Sequence, residues 1–392
     1  MRVAEGWLVQ PLSEIARVTS GGTPRREKAE YWLGGDVPWI RTTEVQNCVL
    51  FPEDTKEYIS ELGVANSSAK LVPAGTILLA MIGQGKTRGQ VALLKFEATI
   101  NQNCAAIILD EQSSPEFYFN YLRSRYASIR GLSNSAGQSN LSGALVKSIR
   151  VPVPPIAEQR KIARILSTWD DAIATTEQLL ANSEQQKKAL MQQLLTGKKR
   201  LPGFEGEWKK VELGEILDYR QPTPYLVEST EYSEEYATPV LTAGKTFVLG
   251  YTNEHFGIYD NNLPVIIFDD FTTASRLVDF PFKVKSSAMK LLTARSGYSM
   301  KYIYEAMQLL RFVVGGHQRH WISIFSNLVI PVPSTEEQNA IARVLEAADI
   351  EIEIYQGRLQ CFKQEKKALM QQLLTGKRRV KVDEEQSDAV PA

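Results

Sequence analysis

Residues 187–198, Lys-Lys-Ala-Leu-Met-Gln-Gln-Leu-Leu-Thr-Gly-Lys, recur without change as residues 366–377. This internal repeat limits the folds open to the chain more than any other feature. The same offset of 179 aligns Pro152-Val153-Pro154 with Pro331-Val332-Pro333 and Glu158-Gln159 with Glu337-Gln338. It also aligns Ile162-Ala163-Arg164 with Ile341-Ala342-Arg343. Residues 151–200 and 330–379 are therefore two ungapped copies of one element. Upstream of each copy the relation is weaker. Trp7, Leu12, Glu14, Ile15 and Pro38 match Trp208, Leu213, Glu215, Ile216 and Pro239 at an offset of 201, so the second half is shorter by 22 residues. The order is variable domain, shared element, variable domain, shared element.

The shared element reads as a long helix. Seam positions in the first copy are Ile162, Leu166, Trp169, Ile173, Thr176, Leu180, Ser183, Lys187, Leu190 and Leu194. The second copy gives Ile341, Leu345, Ala348, Ile352, Tyr355, Leu359, Phe362, Lys366, Leu369 and Leu373. Steps of four and three sustained this long predict a coiled-coil seam. Thr176, Ser183 and Lys187 weaken the first seam, so each helix is expected to need a partner. The two most simply pair with each other, antiparallel, as a rigid spacer. The alternative is two surface helices, each packed on its own domain. Pro155 suits a first turn, and Ser334 with Glu337 has the capping-box pattern. Gly197 and Gly376 stand where left-handed caps would stop the helices. Each helix would be roughly 55–60 Å long.

The expected class is α+β: two mixed α/β domains, 1–150 and 208–329, separated by two long antiparallel coiled-coil helices, with a pseudo-twofold internal repeat. Residues 201–207 read as a linker and 380–392 as a disordered tail. Short apolar runs at Thr76–Met81, Cys104–Leu109, Val265–Phe268 and Ala288–Leu292 predict buried strands. Glu116–Ile129 and Met300–Phe312 predict helices.

Charge then narrows the function. Lys+Arg and Asp+Glu both number 45, for a formal net charge of 0, so a polybasic tail is not the basis of any nucleic-acid binding. No stretch of about 18 apolar residues predicts a membrane span, and the first residues lead into no secretory h-region. Cys48, Cys104 and Cys361 are scattered and odd in number, against a disulfide framework or a metal cluster. A reducing cytoplasm is the expectation.

No catalytic constellation stands out. Gly85-Lys86-Thr87 lacks the upstream glycine of a phosphate loop, because that position is Ala80. His317 and His320 have no third ligand nearby, and no metal site is expected. Asp269-Asp270 follows an apolar run where a Mg2+ carboxylate could sit, but no companion Glu-x-Lys accompanies it. No Asn-Pro-Pro-Tyr-like methyltransferase motif is present.

What remains is a set of polar loops. The first domain offers Arg25, Arg26, Arg41, Thr42, Gln84, Lys86, Arg88, Gln138 and Asn140. The second offers Arg220 (followed by Gln221), Thr242, Lys245, Thr273, Arg276, His317, Gln318, Arg319 and His320. Arg and Lys suit guanine O6 and N7, Asn and Gln suit adenine, and Ser and Thr suit phosphates or either base. Corresponding loops are polar in both domains but carry different side chains. Two domains on one scaffold that read two different DNA sequences would look like this.

With these features the chain resembles, over its whole length, the specificity subunit of type I restriction–modification systems. The carriers are Val151 to Ala163 with its copy from Ile330, and the two Met-Gln-Gln-Leu-Leu-Thr-Gly blocks. Tyr31-Trp32, Pro38-Trp39-Ile40 and Asn101-Gln102-Asn103-Cys104 add to them. The resemblance implies two target-recognition domains, each reading one half of a split, asymmetric DNA site. It implies helices that set the gap and dock two modification (methyltransferase) subunits. The helix seam from Ile162 to Leu194 and from Ile341 to Leu373 would serve that docking. Restriction (translocase and nuclease) subunits would join the complex. S-adenosylmethionine, ATP and Mg2+ would sit on those partners, and this chain would be non-catalytic. Ser286-Ser287-Ala288-Met289 stands where the second domain would have Asn-Gln-Asn-Cys. Two other readings compete: a stand-alone nuclease or methyltransferase, which would bind S-adenosylmethionine itself, and an adaptor without DNA affinity, whose partner binding would lack the salt dependence of phosphate contacts.

Overall fold

The computed structural model describes residues 3–83, 85–135, 140–244, 246–310 and 320–382. They form two compact units. One runs up to Thr176 and resumes at Arg358; the other is Glu177–Gly357. Each unit holds one variable domain and one half of each long helix. The division between the units therefore falls inside the helices.

In the first unit, a five-stranded sheet has the order Ala16–Ser20, Cys104–Leu109, Ile77–Ala80, Val91–Leu94, Cys48–Leu50. Its neighbours are antiparallel except the last pair. A second sheet has the order Tyr58–Ile59, Val37–Ile40, Ala98–Ile100, Leu71–Val72. Ile77–Ala80 and Val91–Leu94 are buried along their whole length, which is why they read as unbroken apolar runs. The second unit repeats the plan. One sheet has the order Leu217–Arg220, Met289–Ala294, Val265–Asp269, Ser275–Val278, and a smaller one pairs Val248–Thr252, Thr238–Leu241 and Lys283–Val284. The strands expected from the sequence are present, with ends shifted by one or two residues. The helix expected over Glu116–Ile129 is two helices, Pro115–Ser124 and Tyr126–Ser135.

The proline motifs are strands. Arg150–Val153 pairs with Leu8–Pro11, and Val329–Val332 pairs with Lys209–Glu212, both antiparallel. These ribbons close each domain on itself: the Leu12 amide donates to Ile149 O, and the Leu213 amide donates to Leu328 O, both at 2.9 Å. That equivalence explains the paired offsets of 201 and 179.

The long helices are Ile156–Leu194 and Thr335–Leu373, 39 residues each, about 58 Å at 1.5 Å per residue. Within each unit their halves run antiparallel. In the first unit the Trp169 ring meets Phe362 edge-on at 5.6 Å, and Lys366 reaches Asp170. In the second, Lys187 meets Asp349 at 2.5 Å. Both sequence alternatives hold in part. The helices pair, and their ends are also absorbed into the domain cores. Ile162, Leu166 and Leu373 pack in one core with Phe117 and Tyr121. Leu194, Ile341 and Leu345 pack in the other with Tyr302 and Trp321. Between the ends, Trp169, Ile173, Leu180, Leu190, Ile352, Leu359, Phe362 and Leu369 are half-buried. The polar seam residues Thr176, Ser183 and Lys366 are buried as well.

Gly197 and Gly376 adopt φ of 71° and 72°, the left-handed caps expected at these positions. The capping box at the second helix is half made. The Glu337 amide donates to Ser334 Oγ at 3.3 Å, but the Glu337 carboxylate is held by Arg200 and Trp208. Val380, which falls in the segment expected to be a tail, packs against the first core; residues 383–392 lie outside the described residues. Among the described residues no helix is long and apolar enough to cross a membrane.

Candidate nucleic-acid interface

Strand register puts the polar loops of each domain at one end of its sheets. In the first domain Ala80 pairs with Cys104, Ser20 with Ala105, and Leu79 with Val91. Ile40 pairs in parallel with Ile100. The segments after Ser20, Ile40, Ala80 and Ile100 therefore leave from the same edge. Hydrogen bonds join them. Gly22 N donates to Ile100 O (2.9 Å), Asn101 N to Ile40 O (2.9 Å), Met81 N to Asn103 O (2.9 Å) and Leu141 N to Met81 O (2.9 Å). Thr23 Oγ1 donates to Gln102 Oε1.

The second domain matches it. Arg220 pairs with Leu291, Asp269 with Met289, Phe268 with Ser275, and Leu241 in parallel with Val284. Lys285 N donates to Leu241 O (3.1 Å), Asp270 N to Ala288 O (3.1 Å) and His320 N to Asp270 O (2.9 Å). Ser286–Met289 makes the bonds of Asn101–Cys104. Ala288 N donates to Ser286 Oγ as Asn103 N donates to Asn101 Oδ1, and Met289 N to Ser286 O as Cys104 N to Asn101 O. The motif missing from the second domain is replaced by residues that build the same turn.

The cations at this edge fall into two kinds. Arg25 and Lys86 are exposed. Arg26 stacks on Trp32, its guanidinium 3.7 Å from the ring centroid, and donates to Glu57 at 2.7 Å. Arg41 is half-buried and donates to both Glu44 (3.0 Å) and Glu57 (2.5 Å). The Glu44 hydrogen bond outweighs desolvation and holds the Arg41 guanidinium firmly protonated. Glu44 and Glu57 escaped the sequence reading because nothing in their spacing marks them as partners of Arg41.

The other expected residues are distributed as follows. The Lys86 carbonyl accepts from Tyr126 Oη (2.8 Å), and that of half-buried Arg88 from Arg130 Nη1 (3.3 Å), tying this loop to the helix beside it. Thr42 is half-buried, and Asn140 and Arg220 are exposed. Arg276 is exposed and lies 5.8 Å from the Phe247 ring centroid. Thr242 Oγ1 donates to Thr246 O (2.6 Å) and accepts from Gly244 N, so its hydroxyl shapes its own turn. Thr273 has φ of 59° and closes the turn after Asp269. Gln84, Gln138, Lys245, His317, Gln318 and Arg319 lie outside the described residues. His320 is a correction: it is 1% exposed. It opens the short helix His320–Ser323, and its amide is bound to Asp270.

Gly85-Lys86-Thr87 connects two antiparallel strands, where a phosphate loop joins a strand to a helix. Asp269 Oδ1 accepts from Phe271 N and Thr272 N, an Asx turn. Asp270 is buried against Lys290. Among the described residues no group of three or more His, Cys, Asp or Glu side chains could hold a metal.

A family profile described as "Type I restriction modification DNA specificity domain" matches residues 4–185 and 205–363. The chain belongs to this family. Its sequence is 49% identical over 160 residues to the type I restriction enzyme EcoR124I/EcoR124II specificity subunit of Escherichia coli, a match covering 38% of this chain and 39% of that subunit. The match therefore spans about two fifths of that relative's length. It is 25% identical, over 97% of this chain and 95% of the relative, to the putative MjaX specificity subunit of Methanocaldococcus jannaschii. Among solved structures, the S subunit of a type I restriction–modification system from M. genitalium superposes with a TM-score of 0.67 at 16% identity. That superposition covers 95% of this chain and 98% of that one, which establishes the shared fold.

Family membership puts weight on the side chains the two copies of the repeat keep. In the first unit Arg379 forks onto Glu158, with Nε to Oε2 at 2.8 Å, while its Nη1 donates to Glu5 O. In the second, Arg200 forks onto Glu337 (2.9 and 2.5 Å), its Nη1 donates to Gly206 O, and Trp208 Nε1 donates to the same carboxylate. The glutamines beside them hold the domains. Gln159 Oε1 accepts from Ser114 N (2.8 Å) and its Nε2 donates to Pro154 O (2.8 Å). Gln338 does the same with Ser299 N and Pro333 O, both at 2.9 Å. Each Glu-Gln pair thus clips one helix start, the end of the other helix and one domain together.

Proposed function

We propose that this chain is the sequence-specific DNA-recognition subunit of a type I restriction–modification complex, without catalysis of its own. One observation carries the reading: two domains present structurally equivalent loop clusters, stitched by equivalent hydrogen bonds, with different side chains at equivalent stations. Each domain reads one half of a bipartite, asymmetric site in double-stranded DNA. Arg41, braced by two carboxylates, is suited to a fixed bidentate contact with guanine, whereas Arg25 and Lys86 are suited to phosphate. The long helices dock two modification (methyltransferase) subunits and set the gap between the half-sites. Restriction subunits with translocase and nuclease activity join that core. S-adenosylmethionine, ATP and Mg2+ belong to those partners, and the complex works in the cytoplasm.

The test is a methylome. The chain is expressed with its modification subunit in a methylation-free host, and modified bases are mapped with and without it. A split motif that depends on the chain supports the reading. A continuous motif, or methylation unchanged when the chain is omitted, removes it and favours the adaptor.

A further inference from the structure

The two domains differ beneath their loop clusters at one pair of stations. In the first, Met81 bridges the loops through its backbone, to Asn103 O and from Leu141 N, and Ala105 lies opposite Leu79. In the second, Asp270 makes the same backbone bonds, to Ala288 O and from His320 N, and Lys290 lies opposite Phe268. An apolar pair is thus replaced by a lysine and an aspartate, each 1% exposed. Lys290 Nζ is 3.4 Å from Asp270 Oδ2, and Asp270 Oδ1 accepts from Trp321 N at 2.8 Å. Burying such a pair carries a desolvation cost that apolar side chains avoid, and the first domain shows that the scaffold accepts apolar ones. Stability therefore does not account for the pair.

What the pair does, and an apolar pair could not, is reach Gln221. Lys290 Nζ donates to Gln221 Oε1 at 2.9 Å. Gln221 is exposed and is the first residue past the strand Leu217–Arg220, at the loop edge. With its carbonyl turned to the lysine, its NH2 is the group left to face outward. An amide held this way turns its two N–H donors outward. Its complement is an acceptor edge in the major groove: guanine O6 or N7, thymine O4, or adenine N7.

We propose that Asp270 and Lys290 are a positioning pair that fixes Gln221 as a hydrogen-bond donor to a base acceptor in the half-site read by the second domain. The inference rests on the DNA-reading role proposed above.

The experiment maps methylation by the full chain with its modification subunit, for the wild type, Gln221→Ala, Gln221→Glu and the double variant Asp270→Met with Lys290→Ala, which installs the first domain's pair. Arg41→Ala marks the other half-site. Gln221→Ala and the double variant are each expected to relax the same single base position, with discrimination there falling about tenfold. Gln221→Glu keeps the contact with Lys290 but presents acceptors, so it should lose the wild-type base at that position. A wild-type motif retained in full by Gln221→Ala or Gln221→Glu overturns the inference, and so does an even loss over all sites in the double variant while Gln221→Ala is silent. Gln221 is exposed, so its variants report even where the double variant does not fold. A wild type that yields no split motif is a different result, and refutes the DNA-reading role itself.

Discussion

At the scale of single residues, the constraint on a side chain separates two kinds of contact under the proposed DNA-reading function. Arg41 is held between Glu44 and Glu57, so its guanidinium has one orientation to present. Lys86 is exposed on its loop and, under the proposed function, would meet a phosphate as a point charge. Arg41→Ala should therefore lower discrimination at one base position by ~1–3 kcal/mol and leave the other half-site untouched. Lys86→Ala should weaken binding to all sequences alike and reduce the salt slope by about one. Binding titrations of the complex on matched and mismatched duplexes across salt concentrations separate the two. Gln159 makes a prediction of another kind. It is fully buried, and its oxygen satisfies the Ser114 amide that opens the helix Pro115–Ser124. Gln159→Leu strands that amide and should cost roughly 1–3 kcal/mol in denaturant unfolding. Gln338→Leu should do the same through Ser299. The identity of these glutamines in both copies was legible in the sequence, because the repeat preserves them. Their role was not, since Ser114 and Ser299 stand more than thirty residues away and carry no mark of the contact.

At the scale of elements, the long helices were the most legible part of the fold. Their period, caps and length follow from spacing alone. Periodicity could not show that one seam serves two purposes, pairing in the middle and core packing at the ends. Leu166 and Ile173 look alike in the pattern, yet one is sealed in a core and the other is half-buried. Nor could it show how the seam lysines are tolerated. Lys187 meets Asp349 and Glu305, and Lys301 meets the same two carboxylates. Burial alone would raise the Asp349 carboxyl, but hydrogen bonds from Lys187 and Lys301 outweigh it and hold the group below its ordinary 3.8. A lowered native value stabilises the folded state above the unfolded value, and that contribution is lost as the pH falls through the native one. The stability difference between wild type and Asp349→Asn should therefore be largest near neutrality and shrink below about pH 4. Thermal unfolding of both proteins between about pH 6 and pH 3 checks it. A difference that grows on acidification would contradict the sign.

At the scale of the whole molecule, the repeat supplies an expectation about exchange of parts. The ribbon, the fork and the clip that hold the first domain to its helix ends lie outside residues 12–149 or touch them through backbone, and the apolar face that Phe117 and Tyr121 present to Ile162 and Leu166 completes the attachment. The ribbon Leu8–Pro11 with Arg150–Val153, the Arg379–Glu158 fork and the Gln159 clip are shared devices. Gln159 asks of the domain only a backbone amide at Ser114 and a carbonyl at Gln112. A homologous segment can supply both, provided a helix begins at that point with a free amide and turns an apolar face to Ile162 and Leu166. Exchanging 12–149 for the corresponding segment of another family member should therefore yield a folded chain. Its methylation motif should change in one half-site only, with the other half-site and the gap retained. His320 shows why the segment must be exchanged whole. Its place in the sequence suggested a side chain facing DNA, yet it is buried, and its backbone amide is bound to Asp270. Single loops cut from such a cluster would leave partners like Asp270 unsatisfied, whereas a whole domain carries its hydrogen bonds with it. Methylome mapping of the exchanged chain decides the matter: a change in both half-sites would mean that the two readers are coupled, and that the repeat records ancestry without independent function.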